Sequence, residues 1–228
     1  MRCSLISLVS MAAILFSTPA AAQSDSTPPT GKQAGPRNRG LMITGAFGVT
    51  GCYNDACSSA DADPLVGFET TALIRFHRNL AAGATLAFGF GLPDDESNIS
   101  TKAFWSMVIG PDFRGILPVL NDRLEIWGNF VMGYGRSAWD FDATVLGRTY
   151  KTKTWANSFA VGWGGGVNFF LTENIAMGAS ISHYRMFPRK ACGKSGNLTE
   201  CDKLTSNERK FFLGWWGLMG VFTYFLPF

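Results

Sequence analysis

Apolar and polar residues alternate along most of the chain from residue 40 onward, in stretches separated by clusters of turn-forming residues. In 66–77 the even-numbered positions are mostly bulky and apolar, whereas the odd-numbered positions include Glu69, Thr71 and Arg75. A period of two indicates β-strands with one apolar face. Eight such stretches can be counted, at about 40–50, 66–77, 81–91, 102–116, 123–135, 153–170, 174–187 and 210–228.

The length and spacing of these stretches predict a membrane-spanning barrel. Each is about as long as the roughly ten residues that a tilted strand needs to cross a bilayer. Short links such as "HRNLA" and "LTEN" alternate with long ones such as "GCYNDACSSADADPL". We therefore predict an all-β fold, an eight-stranded antiparallel transmembrane β-barrel over 40–228. Closure removes the sheet edges that hydrocarbon cannot tolerate, and eight strands leave an interior that side chains can fill.

The last stretch permits a second interpretation. Residues 211–228 carry no charge over eighteen positions, a length that is also typical of a transmembrane helix. Gly214, Gly217, Gly220 and Pro227 disfavour a helix, and the seven preceding stretches favour a closing strand.

The start of the chain predicts export. "MRCSLISLVSMAAILFSTPAAAQ" combines one basic residue, a short apolar core and small residues at Ala20 and Ala22, which is typical of a signal peptide over 1–22. The Pro-, Gly- and Ser-containing segment 23–39 is predicted to be a disordered periplasmic linker. The net charge of +3 gives no electrostatic case for binding nucleic acid.

The cysteines form two pairs once the signal peptide is removed together with its own cysteine. Cys52 and Cys57 fall in the first long loop, and Cys192 and Cys201 fall in the last. An even set of cysteines in an exported chain indicates disulfides in an oxidising compartment. Local pairing within each loop is predicted, and pairing across the two loops stays open.

Two segments resemble a known family. "GWGGGVNFFLTENIAMGASISHYRMF" at 162–187, and a terminal Phe228 preceded by alternating residues that include Tyr224 and Leu226, are similar to the small outer-membrane β-barrels of the OmpA/OmpX-like class. The resemblance implies the bacterial outer membrane, contact with its lipid and lipopolysaccharide, and a terminal strand (Tyr224, Leu226, Phe228) that the barrel-assembly machinery reads. The class holds structural proteins, adhesins, receptors and a few enzymes, so activity does not follow from it.

Five charged residues fall on strand faces that we assign to the lumen: Glu69, Arg75, Asp112, Arg114 and Glu125. Buried charges are costly unless they are paired. We interpret these residues as an internal salt-bridge network that plugs the barrel. A gated path for small solutes is the alternative.

Other candidate chemistry is weaker. In some eight-stranded lipid A deacylases an exposed histidine is followed two residues later by a serine, but here His183 is followed by Arg185, and Ser180 and Ser182 fall on the opposite face. His183 and Arg185 instead suit the vicinity of lipopolysaccharide phosphates. The glycine strings lack a following helix, and the acidic segments 61–64 and 94–96 match no calcium cage.

These observations predict a structural, envelope-integrity or surface-interaction (adhesion) protein that contacts extracellular ligands through its loops. No catalytic residue, cofactor or metal is expected. The alternatives are a narrow channel for small solutes or apolar molecules and, more weakly, a lipid A-modifying enzyme.

Overall fold

The computed structural model of the chain describes residues 38–52, 65–91, 99–145, 148–196, 198–205 and 214–228. Several predicted features lie outside the described residues. These are the signal peptide (1–22), nearly all of the linker (23–39), Cys57 as the predicted partner of Cys52, and the acidic segments 61–64 and 94–96. Residues 34–228 form one compact unit.

The described chain contains nine β-strands: β1 (Gly40–Cys52), β2 (Leu65–His77), β3 (Leu80–Gly91), β4 (Ile99–Val119), β5 (Leu124–Val145), β6 (Arg148–Phe170), β7 (Ile175–Ser195), β8 (Leu198–Lys203) and β9 (Trp215–Pro227). Eight of them pair antiparallel in a closed ring, in the order β1, β2, β3, β4, β5, β6, β7, β9 and back to β1. The short β8 pairs with β7 alone among the described strands. The predicted eight-stranded antiparallel barrel is confirmed.

The end of the chain is a strand, as the alternation predicted. β9 closes the ring against β1, with Leu226 opposite Leu41 and Leu218 opposite Val49. The helical interpretation of 211–228 is therefore wrong for the described part of that segment. Within the described residues, no helix is long and apolar enough to cross a bilayer.

One end of the barrel, here called the turn end, carries three short turns at 78–79, 120–123 and 171–174. Side chains tie these turns to neighbouring strands. The amide of Asn79 donates to the carbonyl of Ile116 at 2.9 Å, and the amide of Asn174 donates to the carbonyl of Phe225 at 2.7 Å. The turn end is thus cross-linked by hydrogen bonds around the ring. The opposite end is called the loop end.

The outer wall is apolar and the inner wall is small or polar. In β9 every second side chain from Trp216 to Leu226 is exposed and the alternate ones are buried. Large apolar side chains are exposed around the whole wall, for example Phe47 at 65% and Phe159 at 55%. A closed barrel with an apolar outer wall can only satisfy that wall in lipid, so the barrel is transmembrane.

The loop end departs from the predicted loops. The segments around 136–151 and 188–209 were predicted to be long loops, but β5 and β6 continue to Val145 and Arg148, and β7 and β8 form a further hairpin. The prediction was wrong because a strand that meets water on both faces needs no apolar side. The hydrophobic period of two disappears there while the backbone ladder continues.

Candidate functional site

The structure places all five predicted lumen charges inside the barrel. Their exposed fractions are 5% for Glu69, 1% for Arg75, 0% for Asp112, 1% for Arg114 and 1% for Glu125. Each lies on an inward position of its strand, because alternation in β2, β4 and β5 turns every second residue toward the lumen. They form three separate groups along the barrel axis.

The first group is an ion pair near the turn end. The Nη1 atom of Arg75 on β2 lies 2.7 Å from Oε1 of Glu125 on β5. Arg75 also donates to the carbonyl of Arg78, the first residue of the adjoining turn. β2 and β5 are three strands apart in the ring. The pair therefore bridges the lumen near the turn end.

The second group is centred on Glu69. Its Oε2 atom accepts hydrogen bonds from the hydroxyls of Tyr184 at 2.8 Å and Ser182 at 3.0 Å. Both donors lie on β7, across the lumen from β2. Charge-assisted bonds from two neutral donors compensate a buried carboxylate. The sequence identified Glu69 but not its partner Tyr184. The alternation within one strand shows which residues face the lumen, but not which residues of distant strands meet there.

The third group surrounds Asp112. Its carboxylate accepts from the hydroxyl of Thr85 at 2.7 Å and from the amide of Asn129 at 3.2 Å. The Nη2 atom of Arg114 lies 3.5 Å away. Thr71 and Thr85 share a further hydrogen bond of 3.0 Å. A belt of small polar residues thus surrounds the acid midway along the lumen.

Arg114 is held mainly by an aromatic ring. Its guanidinium carbon lies 4.0 Å from the centroid of the Trp127 ring, a cation–π contact in a buried setting. Within the described residues its three guanidinium nitrogens have no hydrogen-bond partner, and neither do the indole nitrogen of Trp127 or the side-chain amide of Asn168. Such orphaned donors are the groups that a buried water molecule would satisfy.

Apolar clusters fill the lumen on both sides of this polar layer. Toward the turn end lies a cluster that includes Trp127, Phe170 and Phe225. Toward the loop end lies a second cluster that includes Tyr184 and Trp215, whose rings are 4.6 Å apart. These large side chains are almost fully buried. Large apolar side chains therefore occupy the described lumen on both sides of the polar layer.

The part of the barrel that the sequence missed stands beyond the loop end. The outer parts of β5, β6 and β7, together with β8, form a sheet that we call the raised sheet (137–145, 148–157, 189–196 and 198–203). A disulfide joins Cys192 on β7 to Cys201, directly opposite on β8. This is the local pairing that was predicted for the last loop, although its cysteines lie on paired strands. The predicted partner of Cys52 lies outside the described residues.

The residues considered for catalysis lie on different sides of the wall. His183 faces outward and stacks on Trp163, with ring centroids 4.1 Å apart. Ser180 and Ser182 face inward and are buried. Hence neither serine lies beside the histidine. The histidine side chain packs against an aromatic ring on the lipid-facing wall. Among the described residues no group of three or more His, Cys, Asp or Glu side chains could hold a metal ion.

The three residues of the predicted assembly signal lie on the outer face of β9 and just beyond it. Tyr224 and Leu226 are each 39% exposed, and Phe228 is 76% exposed. Two other predictions, the reading of these residues by the assembly machinery and the role of the lumen charge network as a plug, stay predictions.

The closed ring of eight strands, its apolar outer wall and its packed lumen define the fold of the small outer-membrane β-barrel proteins of bacteria. Two solved structures are similar to it. One is a major outer membrane protein from Thermus thermophilus, with 12% identity, a TM-score of 0.56, and 82% of this chain and 99% of that chain covered. The other is the outer membrane protein OprG from Pseudomonas aeruginosa, with 11% identity, a TM-score of 0.50, and 86% and 99% covered.

These likenesses confirm, at the level of the fold, the resemblance that was predicted from 162–187 and the final strand. No protein-family model matches the sequence, and no curated protein sequence matches it. Function must therefore be argued from the site itself.

Proposed function

We propose that the protein is a non-enzymatic outer-membrane barrel that presents the raised sheet to the cell exterior for surface contact or adhesion. The observation that carries this proposal is the continuation of β5, β6 and β7 beyond the apolar wall, with β8 added and joined by a disulfide. The barrel then serves as a rigid membrane base for an exposed binding element.

The raised sheet is tall enough to reach an external partner. Phe159 is the last exposed large apolar side chain described on β6, and the strand continues from there to Arg148. At about 3.4 Å per residue this is roughly 37 Å of additional strand. Such a height exceeds what closing the barrel requires, so it calls for a separate function.

The raised sheet also has an open edge. β8 is exposed at every position, and among the described strands it pairs only with β7. An unpaired strand edge offers backbone N–H and C=O groups to an extended segment of another protein. The disulfide beside it keeps that edge in place. We infer that extracellular ligands bind by extending this sheet.

The remaining parts of the proposal concern delivery and anchoring. The segment 1–22 directs export, 23–39 is a periplasmic linker, and the barrel lies in the outer membrane among lipid and lipopolysaccharide. The outward side chains Tyr224, Leu226 and Phe228 present the last strand to the barrel-assembly machinery. The apolar outer wall and the exposure of these three residues support this part.

A trimmed hairpin tests the surface role. Lys190 and Lys203 are directly opposite each other, so 191–202, which include nearly all of β8, can be replaced by an Asn-Gly turn without changing the register below. We expect cells carrying this variant to lose adhesion to epithelial monolayers while the protein keeps its outer-membrane level and its gel shift on boiling. A matched control replaces the turn 120–123 at the turn end with another four-residue turn.

The same strains separate the two parts of the proposed role. If the barrel itself supports envelope integrity, the trimmed variant restores detergent resistance to a strain lacking the protein. Adhesion by trimmed and full-length proteins to the same extent would contradict the surface role. A full-length protein that changes neither adhesion nor detergent resistance would contradict the whole proposal.

A narrow channel is the second candidate, favoured by the polar groups around Asp112 and by the orphaned donors of Arg114 and Asn168. Purified protein in planar bilayers tests it. The packed apolar clusters and the Arg75–Glu125 pair lead us to expect no current. Two results together would favour the channel. The unaltered protein would show steady conductance, and Arg75→Ala/Glu125→Ala would conduct more.

A further inference from the structure

One face of the raised sheet places lysines directly opposite one another. In the register of β6, β7 and β8, Lys153 is opposite Lys194, and Lys190 is opposite Lys203. Directly opposite residues share a face of the sheet, and so do residues four apart on one strand. Like charges in such positions destabilise a sheet. Two such pairs on one face therefore form a positively charged patch.

A β-bulge produces this arrangement. Ser158 is opposite Pro188, whereas the next residue, Asn157, is opposite Lys190, so Arg189 is the extra residue on β7. Proline cannot donate to the ladder and is commonly placed at such irregularities. Below the bulge the even residues of β7 face the lumen, and above it Lys190 and Lys194 share the outer face with Asn157. The bulge therefore directs the lysines outward.

The lysines lie just above the apolar wall. Phe159 and Phe187 are directly opposite each other and face outward, with ring centroids 6.3 Å apart. The next outward position toward the loop end is occupied by Asn157 and Lys190. From below, the guanidinium of Arg185 approaches the ring of Phe187 to 5.6 Å. Cations above an aromatic belt lie at the level of lipid headgroups.

The positive charge of this face is largely unbalanced. Lys153 forms an ion pair with Asp140 at 3.0 Å, but in the part of the chain that the structure describes Lys190, Lys194 and Lys203 form none. The acids of β8, Glu200 and Asp202, are opposite Gly193 and Ala191 and so lie on the other face. The two faces of the hairpin thus have opposite charge.

We propose that the lysine face (Lys153, Lys190, Lys194 and Lys203, with Arg185 below) binds the phosphate groups of a phosphorylated glycolipid in the outer leaflet. This proposal rests on the proposed placement of the barrel in the outer membrane. Ammonium and guanidinium groups form charge-assisted hydrogen bonds with phosphate oxygens. The disulfide Cys192–Cys201 lies between the two lysine pairs and fixes their strands. The bound lipid would hold the raised sheet upright on the membrane.

Binding of purified lipid A to the folded full chain in detergent tests the proposal, with native mass spectrometry as the measurement. Removing one charge-assisted hydrogen bond typically weakens binding by roughly tenfold. We therefore expect Lys190→Gln/Lys203→Gln to bind phosphorylated lipid A at least about tenfold more weakly than the unaltered protein. A charge-matched control, Arg39→Gln/Arg123→Gln, removes two exposed cations from the turn end. It should bind like the unaltered protein.

Further arms distinguish the sources of phosphate. Dephosphorylated lipid A should bind the unaltered and the Lys190→Gln/Lys203→Gln proteins equally, and inorganic phosphate should displace lipid A only at high concentration. Equal weakening of binding in both double variants, or no weakening in either, would overturn the proposal. Displacement by inorganic phosphate as readily as by free lipid A would overturn the lipid assignment. Because purified protein is used, this result is independent of the adhesion measurement.

Discussion

The same three strands, β5, β6 and β7, build two regions with opposite surfaces. In the wall their outward residues are large and apolar, such as Phe130, Phe159 and Ile181, and their inward residues are small or polar. In the raised sheet both faces are polar: one carries the lysines, and the other carries Glu200 and Asp202. The backbone ladder is continuous through both regions. The backbone pairing of these strands therefore does not depend on whether lipid or water surrounds them. The alternation of apolar and polar side chains does depend on it.

The comparison predicts that substitutions in the lumen and wall strongly lower the free energy of unfolding of the barrel. Substitutions in the raised sheet should change the stability of that sheet alone. The largest effect is expected for Glu125→Ala, which leaves Arg75 buried without its partner. Removing one member of a buried pair costs about 3–5 kcal/mol, whereas replacing both by apolar residues is close to neutral. Urea unfolding of the refolded barrel measures both, with Arg75→Met/Glu125→Leu as the rescue. Equal destabilisation of the single and double variants would contradict this account.

A charge on the wall should come next. Phe222 faces lipid from the middle of β9, and an arginine at the bilayer midplane of a barrel costs about 2–4 kcal/mol. The matched change in the raised sheet is Thr152→Arg, for which we expect less than about 0.5 kcal/mol. The measurement is the denaturant midpoint of the boiling-sensitive gel band. Similar midpoints for the two variants would contradict the assignment of wall and raised sheet.

Loss of the disulfide should affect only the raised sheet. Closing a loop between cysteines nine residues apart stabilises by roughly 2–3 kcal/mol in the chain-entropy model. For Cys192→Ser/Cys201→Ser we expect faster amide hydrogen exchange in β8 and the outer part of β7, with no change in β1 or β9. Faster exchange throughout the barrel would show that the two regions unfold as one unit.

The smallest effect on stability is expected for Phe228→Ala, since this side chain is 76% exposed. The refolded barrel should lose less than about 0.5 kcal/mol. Outer-membrane levels in cells should nevertheless fall, because the last strand would be read poorly during assembly. Normal levels in cells would count against Tyr224, Leu226 and Phe228 as an assembly signal.

The sequence predicted the wall and the lumen because each depends on one local rule. In hydrocarbon the two faces of a strand must differ, so the alternation of Leu218, Phe222 and Tyr224 with Met219 and Val221 identifies both the strand and its orientation. The same rule placed Glu69 and Arg114 inside. The order of strands followed from the alternation of short and long links.

What the sequence could not predict depends on contacts between distant strands. The bonds from Tyr184 to Glu69 and from Arg75 to Glu125 require the register around the closed ring. The raised sheet was missed because polar residues such as Thr152 and Lys153 are equally typical of loops. The bulge at Arg189 could have been suspected only from the neighbouring Pro188.

The bulge at Arg189 has a consequence for how this surface can evolve. If Arg189 instead paired regularly with Asn157, every residue of β7 beyond it would move to the opposite face, and β8 would turn with its partner. Glu200 and Asp202 would then occupy the outer face, and the lysines would turn to the inner one. The barrel below would keep its register. One bulge therefore decides which charge a descendant of this protein shows to its neighbours, without a new fold.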